Sequence, residues 1–168
     1  MKSMIVYASR HHGNTAKLVR YLSDRYGIVL MDAQAAQTLA DEKYDLIGFA
    51  SGIDFGKFYP EVTALAKKLS PGKGIYALYT CAKDQAKYGS EIEEIARQRG
   101  CRYLGKYGCK GYNTYGPLKI IGGMNKAHPD AEELEKACVF YEQIMSDFSG
   151  GEKERLYDLQ NSEKVGRI

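Results

Sequence analysis

Five runs of apolar, aromatic and β-branched residues alternate along this chain with segments whose apolar positions recur at helical spacing. The strand-like runs are Met4 to Ala8, Ile28 to Met31, Tyr44 to Ala50, Gly74 to Tyr79 and Cys101 to Tyr112. Helical patterns carry Leu18, Val19 and Leu22, then Val62, Leu65 and Leu69 after Pro60, then Ile92, Ile95 and Ala96 up to Gly100. A last one, opened by Pro129-Asp130, carries Leu134, Ala137, Cys138, Tyr141 and Ile144. Near-continuous apolar strands need cover on both faces, and helices crossing over between parallel strands provide it. The expected class is therefore α/β, a doubly wound five-stranded parallel sheet in a three-layer αβα sandwich.

The 168 residues suit one substantial core. We expect the domain to span residues 1–148. Residues 149–168, which begin near Gly150-Gly151 and carry balanced charge, read as a C-terminal extension with helical character around Leu156 and Leu159. No apolar stretch reaches membrane-spanning length, and Met1-Lys2 leads straight into a strand rather than a signal segment, so a cytoplasmic location is expected. Cys81, Cys101, Cys109 and Cys138 form no Cys-x-x-Cys pair and have no histidines at metal spacing. They read as reduced thiols, and no metal site is expected.

In a sheet of this class, ligands lie beyond the carboxyl ends of the strands, where the strand order reverses. Three loops leave that edge: Ser9 to Thr15, Ser51 to Tyr59 and Thr80 to Gly89. The first, Ser9-Arg10-His11-His12-Gly13-Asn14-Thr15, joins a buried strand to a helix start. Backbone N–H groups and small hydroxyls there form an anion site. It lacks the lysine of a nucleoside triphosphate loop, the Gly-x-Gly-x-x-Gly of a dinucleotide site and the thiolate of a cysteine phosphatase. What remains is non-covalent holding of one phosphate by Ser9, Asn14, Thr15 and amides, with Arg10, His11 and His12 as sources of charge. The same residue types also suit an ordinary N-cap. The second loop, Ser51-Gly52-Ile53-Asp54-Phe55-Gly56-Lys57-Phe58-Tyr59, mixes glycines with aromatics. Glycine lets the backbone approach a flat ligand, and aromatics either lie against its ring or cover the top of the sheet. A phosphate end and a planar apolar end together describe flavin mononucleotide (FMN).

From Met4 to about Phe148 the chain resembles the flavodoxin family, through its first loop, Gly48 to Phe58, Gly111-Tyr112-Asn113-Thr114-Tyr115-Gly116-Pro117-Leu118-Lys119 and His128-Pro129-Asp130. The resemblance implies the flavodoxin-like strand order 2-1-3-4-5 and FMN as cofactor. It also implies that Ser9 to Thr15 hold the phosphate, that Ser51, Gly52, Ile53, Asp54, Phe55 and Gly56 run beside the ring's redox edge, and that Thr80, Cys81, Ala82 and Lys83 close its other side. No catalytic residue follows from it, because the chemistry belongs to the flavin. The implied function is electron transfer between redox-protein partners. The alternative is an FMN-dependent oxidoreductase of the quinone reductase or protoporphyrinogen oxidase type. A receiver-type signalling domain fits less well, since it needs an aspartate where Ser51 stands. Typical members are acidic, whereas this chain has a formal net charge of +3, which points to an acidic redox partner.

From Cys101 to His128 there is no Asp or Glu, while Arg102, Lys106, Lys110, Lys119 and Lys126 interleave with tyrosines. An edge strand with Tyr103, Tyr107 and Cys109 on one face and lysines on the other accounts for this better than a nucleic-acid surface, and docking of an acidic redox partner here is a third reading. Neither nucleic acid nor membrane is expected as a partner.

Overall fold

The computed structural model describes residues 1–114, 120 and 122–165, with residues from 152 onward described as backbone alone. The elements in chain order are β1 (Ser3–Ala8), α1 (Asn14–Tyr26), β2 (Val29–Asp32), β3 (Leu46–Asp54), β4 (Lys57–Phe58), α2 (Pro60–Ala66), β5 (Gly74–Cys81), α3 (Ser90–Gln98), β6 (Arg102–Lys110) and α4 (Ala131–Val165). The sheet runs β2-β1-β3-β5-β6, every neighbouring pair on that path parallel. Counting only these strands, this is the expected 2-1-3-4-5. The addition is β4, which pairs antiparallel with the end of β3 through Ile53 opposite Phe58 and Asp54 opposite Lys57. Ser51 to Asp54, expected as loop, are thus strand residues.

Side chains that alternate along each strand feed two cores. Met4, Val6, Ile47, Phe49, Ile75 and Ala77 face α2 and α3, while Ile5, Leu46, Tyr76 and Leu78 face α1 and α4. The reversal falls between β1 and β3, because the chain leaves β1 toward one face and β3 toward the other. At the far edge, β6 departs from strict alternation. Ile75 pairs with Tyr103 and Tyr76 with Gly105, so Leu104 is an extra residue in a bulge. Tyr103 consequently joins the α2/α3 side and Tyr107 the α1/α4 side, not one common face. Among the flagged basic residues, Lys119 lies outside the described residues, as do Tyr115, Gly116, Pro117 and Leu118.

Helix α4 starts with a reciprocal cap. The Glu133 amide donates to Asp130 Oδ1 at 2.9 Å, and the Asp130 amide donates to Glu133 Oε2 at 3.0 Å. The same carboxylate accepts the Lys110 amide at 3.0 Å and lies 2.7 Å from His128 Nδ1. One side chain thereby fastens the end of β6 to the start of α4. The helix continues through Gly150-Gly151 to Val165, so the boundary expected after residue 148 lies within a helix. No helix among the described residues is long and apolar enough to cross a membrane. All four cysteines are free.

Burial pushes the Glu133 carboxyl up, but the bonds from His128 and from the Asp130 and Lys110 amides outweigh it and hold it below its usual range. A depressed carboxylate pKa contributes stability above the unfolded value, and that contribution is lost as pH falls through the folded one. Glu133→Gln should therefore lower unfolding free energy at pH 7 by about 1–3 kcal/mol, as expected for a charged acceptor serving several donors. The gap between variant and parent should narrow below about pH 4. Urea unfolding across that range measures both.

Candidate functional site

A cavity of about 460 Å³ opens at the carboxyl ends of the strands, bounded by the segments that follow β1, β5 and β6 and by the β3–β4 hairpin. Its floor is the start of α1. Gly13 occupies the N-cap with a left-handed φ of 66° and no side-chain cap. Ser9 Oγ accepts the Ala16 amide at 3.2 Å, so this serine satisfies a helix donor and does not line the cavity. Among the described residues the amides of His12, Gly13 and Thr15 donate to no protein group. Free N–H groups at a helix start carry the positive end of the helix dipole. Thr15 Oγ1 lies 2.9 Å from Thr80 Oγ1, both side chains buried and both at the cavity wall. In such a pair one hydroxyl proton is shared within the pair, leaving the other to be donated into the cavity.

The loop's own cation is already committed. Arg10 makes a bidentate pair with Glu61 of α2, at 2.7 and 2.9 Å from one nitrogen, and its guanidinium lies 4.4 Å from the centre of the Tyr59 ring. Arg10 and His11 line the cavity but His12 does not. Its Nε2 lies 2.8 Å from Thr114 Oγ1, and its ring packs on Tyr112. Charge expected at the phosphate is therefore largely spent on Glu61, and backbone N–H groups remain the main anion donors.

The hairpin forms the second wall, with Gly52, Ile53, Asp54 and Phe55 lining it, whereas Ser51 and Gly56 do not. Ser51 is fully buried and its Oγ accepts the Tyr59 amide at 2.9 Å, a structural role. A Cβ at Gly52 would sit 2.6 Å from the Tyr59 hydroxyl, so only glycine admits that ring at the wall. Burial pushes the Tyr59 phenol up, with Arg10 opposing. At the tip, Phe55 and Gly56 both have positive φ, 47° and 81°, the signature of a two-residue hairpin turn that favours Asn-Gly. A phenylalanine held there costs about 1–2 kcal/mol of backbone strain, and it remains 88% exposed.

Thr80, Cys81 and Ala82 form the third wall; Lys83 lies outside it. Burial, with Asp84 and Glu133 adding to it, pushes the Cys81 thiol up to about 12, so it faces the cavity as a neutral thiol. Three bonds shape this loop: Tyr79 donates to Asp84 at 2.7 Å, Asn125 donates to the Ala82 carbonyl at 3.0 Å, and Lys106 Nζ donates to the carbonyls of Ala86 and Tyr88.

The fourth wall, Gly111 to Thr114, is absent from the sequence-based site, as is Tyr59. The Asn14 side chain, read from sequence as a phosphate ligand, bonds both backbone groups of Tyr112, at 2.9 and 3.2 Å, while also reaching the cavity. A Cβ at Gly111 would lie 2.8 Å from Asn14 Nδ2, so the clasp needs glycine there. The available signal was topological: in an all-parallel path, the segment after the fifth strand must leave at the same edge as the others.

No family model matches the chain. Over 148 residues it is 33% identical to an uncharacterized protein of Methanocaldococcus jannaschii, covering 86% of this chain and 99% of that protein. Among solved structures it is similar to oxidised Flavodoxin 1 from Bacillus cereus, with a TM-score of 0.65 and 17% identity, covering 87% of this chain and 98% of that one. It is also similar to a flavoprotein from Lactobacillus acidophilus solved in complex with FMN, with a TM-score of 0.51 and 18% identity, covering 64% and 92% respectively. At these identities, likeness to the solved structures is a matter of fold. The chain thus belongs to one family with the Methanocaldococcus jannaschii protein, and its fold is flavodoxin-like.

Proposed function

We propose that this protein binds FMN at the strand-end cavity and carries electrons between redox proteins. The observation that carries the reading is the start of α1, where Thr15, with an unengaged amide and its hydroxyl paired to Thr80, lines a cavity whose opposite wall is a glycine–aromatic hairpin. The cavity volume falls within the roughly 300–1,000 Å³ of small-molecule sites. These residues fit the group. The Thr15 amide and the Thr15–Thr80 hydroxyls would hold the phosphate at the positive end of α1, and Phe55, Tyr59 and Tyr112 offer apolar surface to a ring. Bound FMN supplies one- and two-electron redox chemistry.

The chain's own groups bind and orient. Backbone donors need no protonation change to hold a phosphate dianion, so binding at the floor is insensitive to pH in a way that histidine pairing is not. Cys81, neutral and buried, adds no charge beside the ring. Arg10, fixed by Glu61, stiffens Tyr59 rather than moving toward a ligand. Carriage is favoured over turnover of an organic substrate by the hairpin tip: Phe55 stands exposed at the mouth, so the edge of the site is open to another protein's cofactor.

Protein purified from cells grown with ample riboflavin should release FMN on heat denaturation, identified by mass spectrometry at close to one per chain. An apoprotein that cannot be reconstituted with FMN would overturn the assignment. Thr15→Val removes one hydroxyl from the floor and should weaken FMN roughly fivefold, the equivalent of about 1 kcal/mol, while changing riboflavin affinity far less. Fluorescence titration of the apoprotein with both ligands checks this, and equal losses would mean that Thr15 does not serve the phosphate.

A further inference from the structure

Of the lysines in the acid-free run, Lys110 stands exposed at the end of β6. Lys106 is turned inward onto the carbonyls of Ala86 and Tyr88, and Lys119 lies outside the described residues. Three further exposed cations with no such engagement flank the segments that line the cavity. Lys57 leaves the hairpin, Lys83 follows Ala82 of the third wall, and Lys87 lies over the hairpin turn, its Cε and Nζ 3.6 Å from where a Gly56 Cβ would be. All three are exposed, and among the described residues none has an ion-pair partner or side-chain hydrogen bond. Phe55, beside Gly56 in the hairpin turn and two residues before Lys57, is 88% exposed at a strained backbone position.

We propose that this rim is the docking surface for an acidic redox protein, with Phe55 as its apolar centre and Lys57, Lys83 and Lys87 as its charged border. The proposal rests on the electron-carrier reading and names the class of partner for that site. An exposed aromatic inside a polar, partly charged border is the anatomy of a protein–protein contact. The acids nearby are Asp54 at the hairpin, Asp84, which accepts the Tyr79 hydroxyl, and Glu91, which accepts the Phe58 amide; with Lys106 on the Ala86 and Tyr88 carbonyls, four lysines stand against these three carboxylates. A nucleic-acid track would instead be basic throughout, without acids and without a single apolar centre. Charge complementarity of this kind acts mainly on the rate of encounter, and salt suppresses it as exposed charges are screened over about 8 Å at physiological ionic strength. In the exchange itself, one electron leaves the partner's reduced cluster and one enters the bound flavin. No bond is made or broken.

The probe is an acidic plant-type [2Fe–2S] ferredoxin, used against the full chain and the triple variant K57E/K83E/K87E. Binding of oxidised ferredoxin, followed by chemical-shift perturbation at 20 mM salt, should be detectable for the parent and weakened at least tenfold in the variant. Both should bind weakly at 500 mM salt. Stopped-flow reduction of the flavin-loaded parent by reduced ferredoxin should slow about tenfold over the same salt range and by a similar factor in the variant at low salt. Flavin content and affinity should be unchanged by the substitutions, because none of the three lysines lines the cavity. Equal ferredoxin binding by parent and variant, no binding by the parent, or tighter binding of a 20-mer oligodeoxynucleotide than of ferredoxin would each overturn the proposal. Ferredoxin binding that depends on the lysines in a protein that takes up no flavin would uphold the docking surface and overturn the carrier reading, so the two fail separately.

Discussion

Parallel pairing is the constraint from which the rest of this structure follows. Strands that run the same way must be joined by crossovers, and the crossovers bury both faces of the sheet. They also bring every strand's carboxyl end to one edge. When the chain leaves β1 toward one face and β3 toward the other, the helices on either side diverge, and the crevice between them is the cavity. The position of the site is a property of the topology before any side chain is considered.

What the cavity can hold is decided by which charges are left over. Arg10 is taken by Glu61, His12 by Thr114, and Cys81 is kept protonated by burial. The remaining attraction for an anion comes from amides at the start of α1, which are fixed in direction and carry partial charge without titrating. Such a site distinguishes a phosphate from a neutral group while adding little net charge beside a ring. Lys57, Lys83 and Lys87, without an ion pair among the described residues, stand outside the cavity lining.

The walls are held by bonds between distant parts of the chain. Asn14 clasps Tyr112 across 98 positions, Thr15 meets Thr80 across 65, and Glu133 joins the end of β6 to the cap of α4. Each uses a side chain to satisfy groups that neither helix nor sheet serves, so the loops around the cavity are tied to the scaffold at named points. The bulge at Leu104 belongs to the same pattern. By moving Tyr107 to the α4 side it lets the hydroxyl donate to the Glu133 carbonyl at 2.6 Å, next to that cap.

The amino-acid sequence by itself determined the alternation of strands and helices, the parallel sheet, and the loop after the first strand as the entrance of a helix at the strand-end edge. These follow from local patterns: a near-continuous apolar run, a 3.6-residue period, and small polar residues with a glycine at a helix entrance. Eleven of the positions assigned to the flavin site from the three loops, among them Thr15, Gly52 and Thr80, do line the cavity. Tertiary structure alone decided that Ser9 and Ser51 serve the backbone, that Arg10 is spent on Glu61, that Phe55 and Gly56 turn a hairpin, and that Gly111 to Thr114 complete the ring. The reason is physical. Periodicity reports which face of an element is buried, whereas the choice among several possible hydrogen-bond partners depends on which chain ends the sheet brings within 3 Å of one another, and that distance exists only in the folded chain.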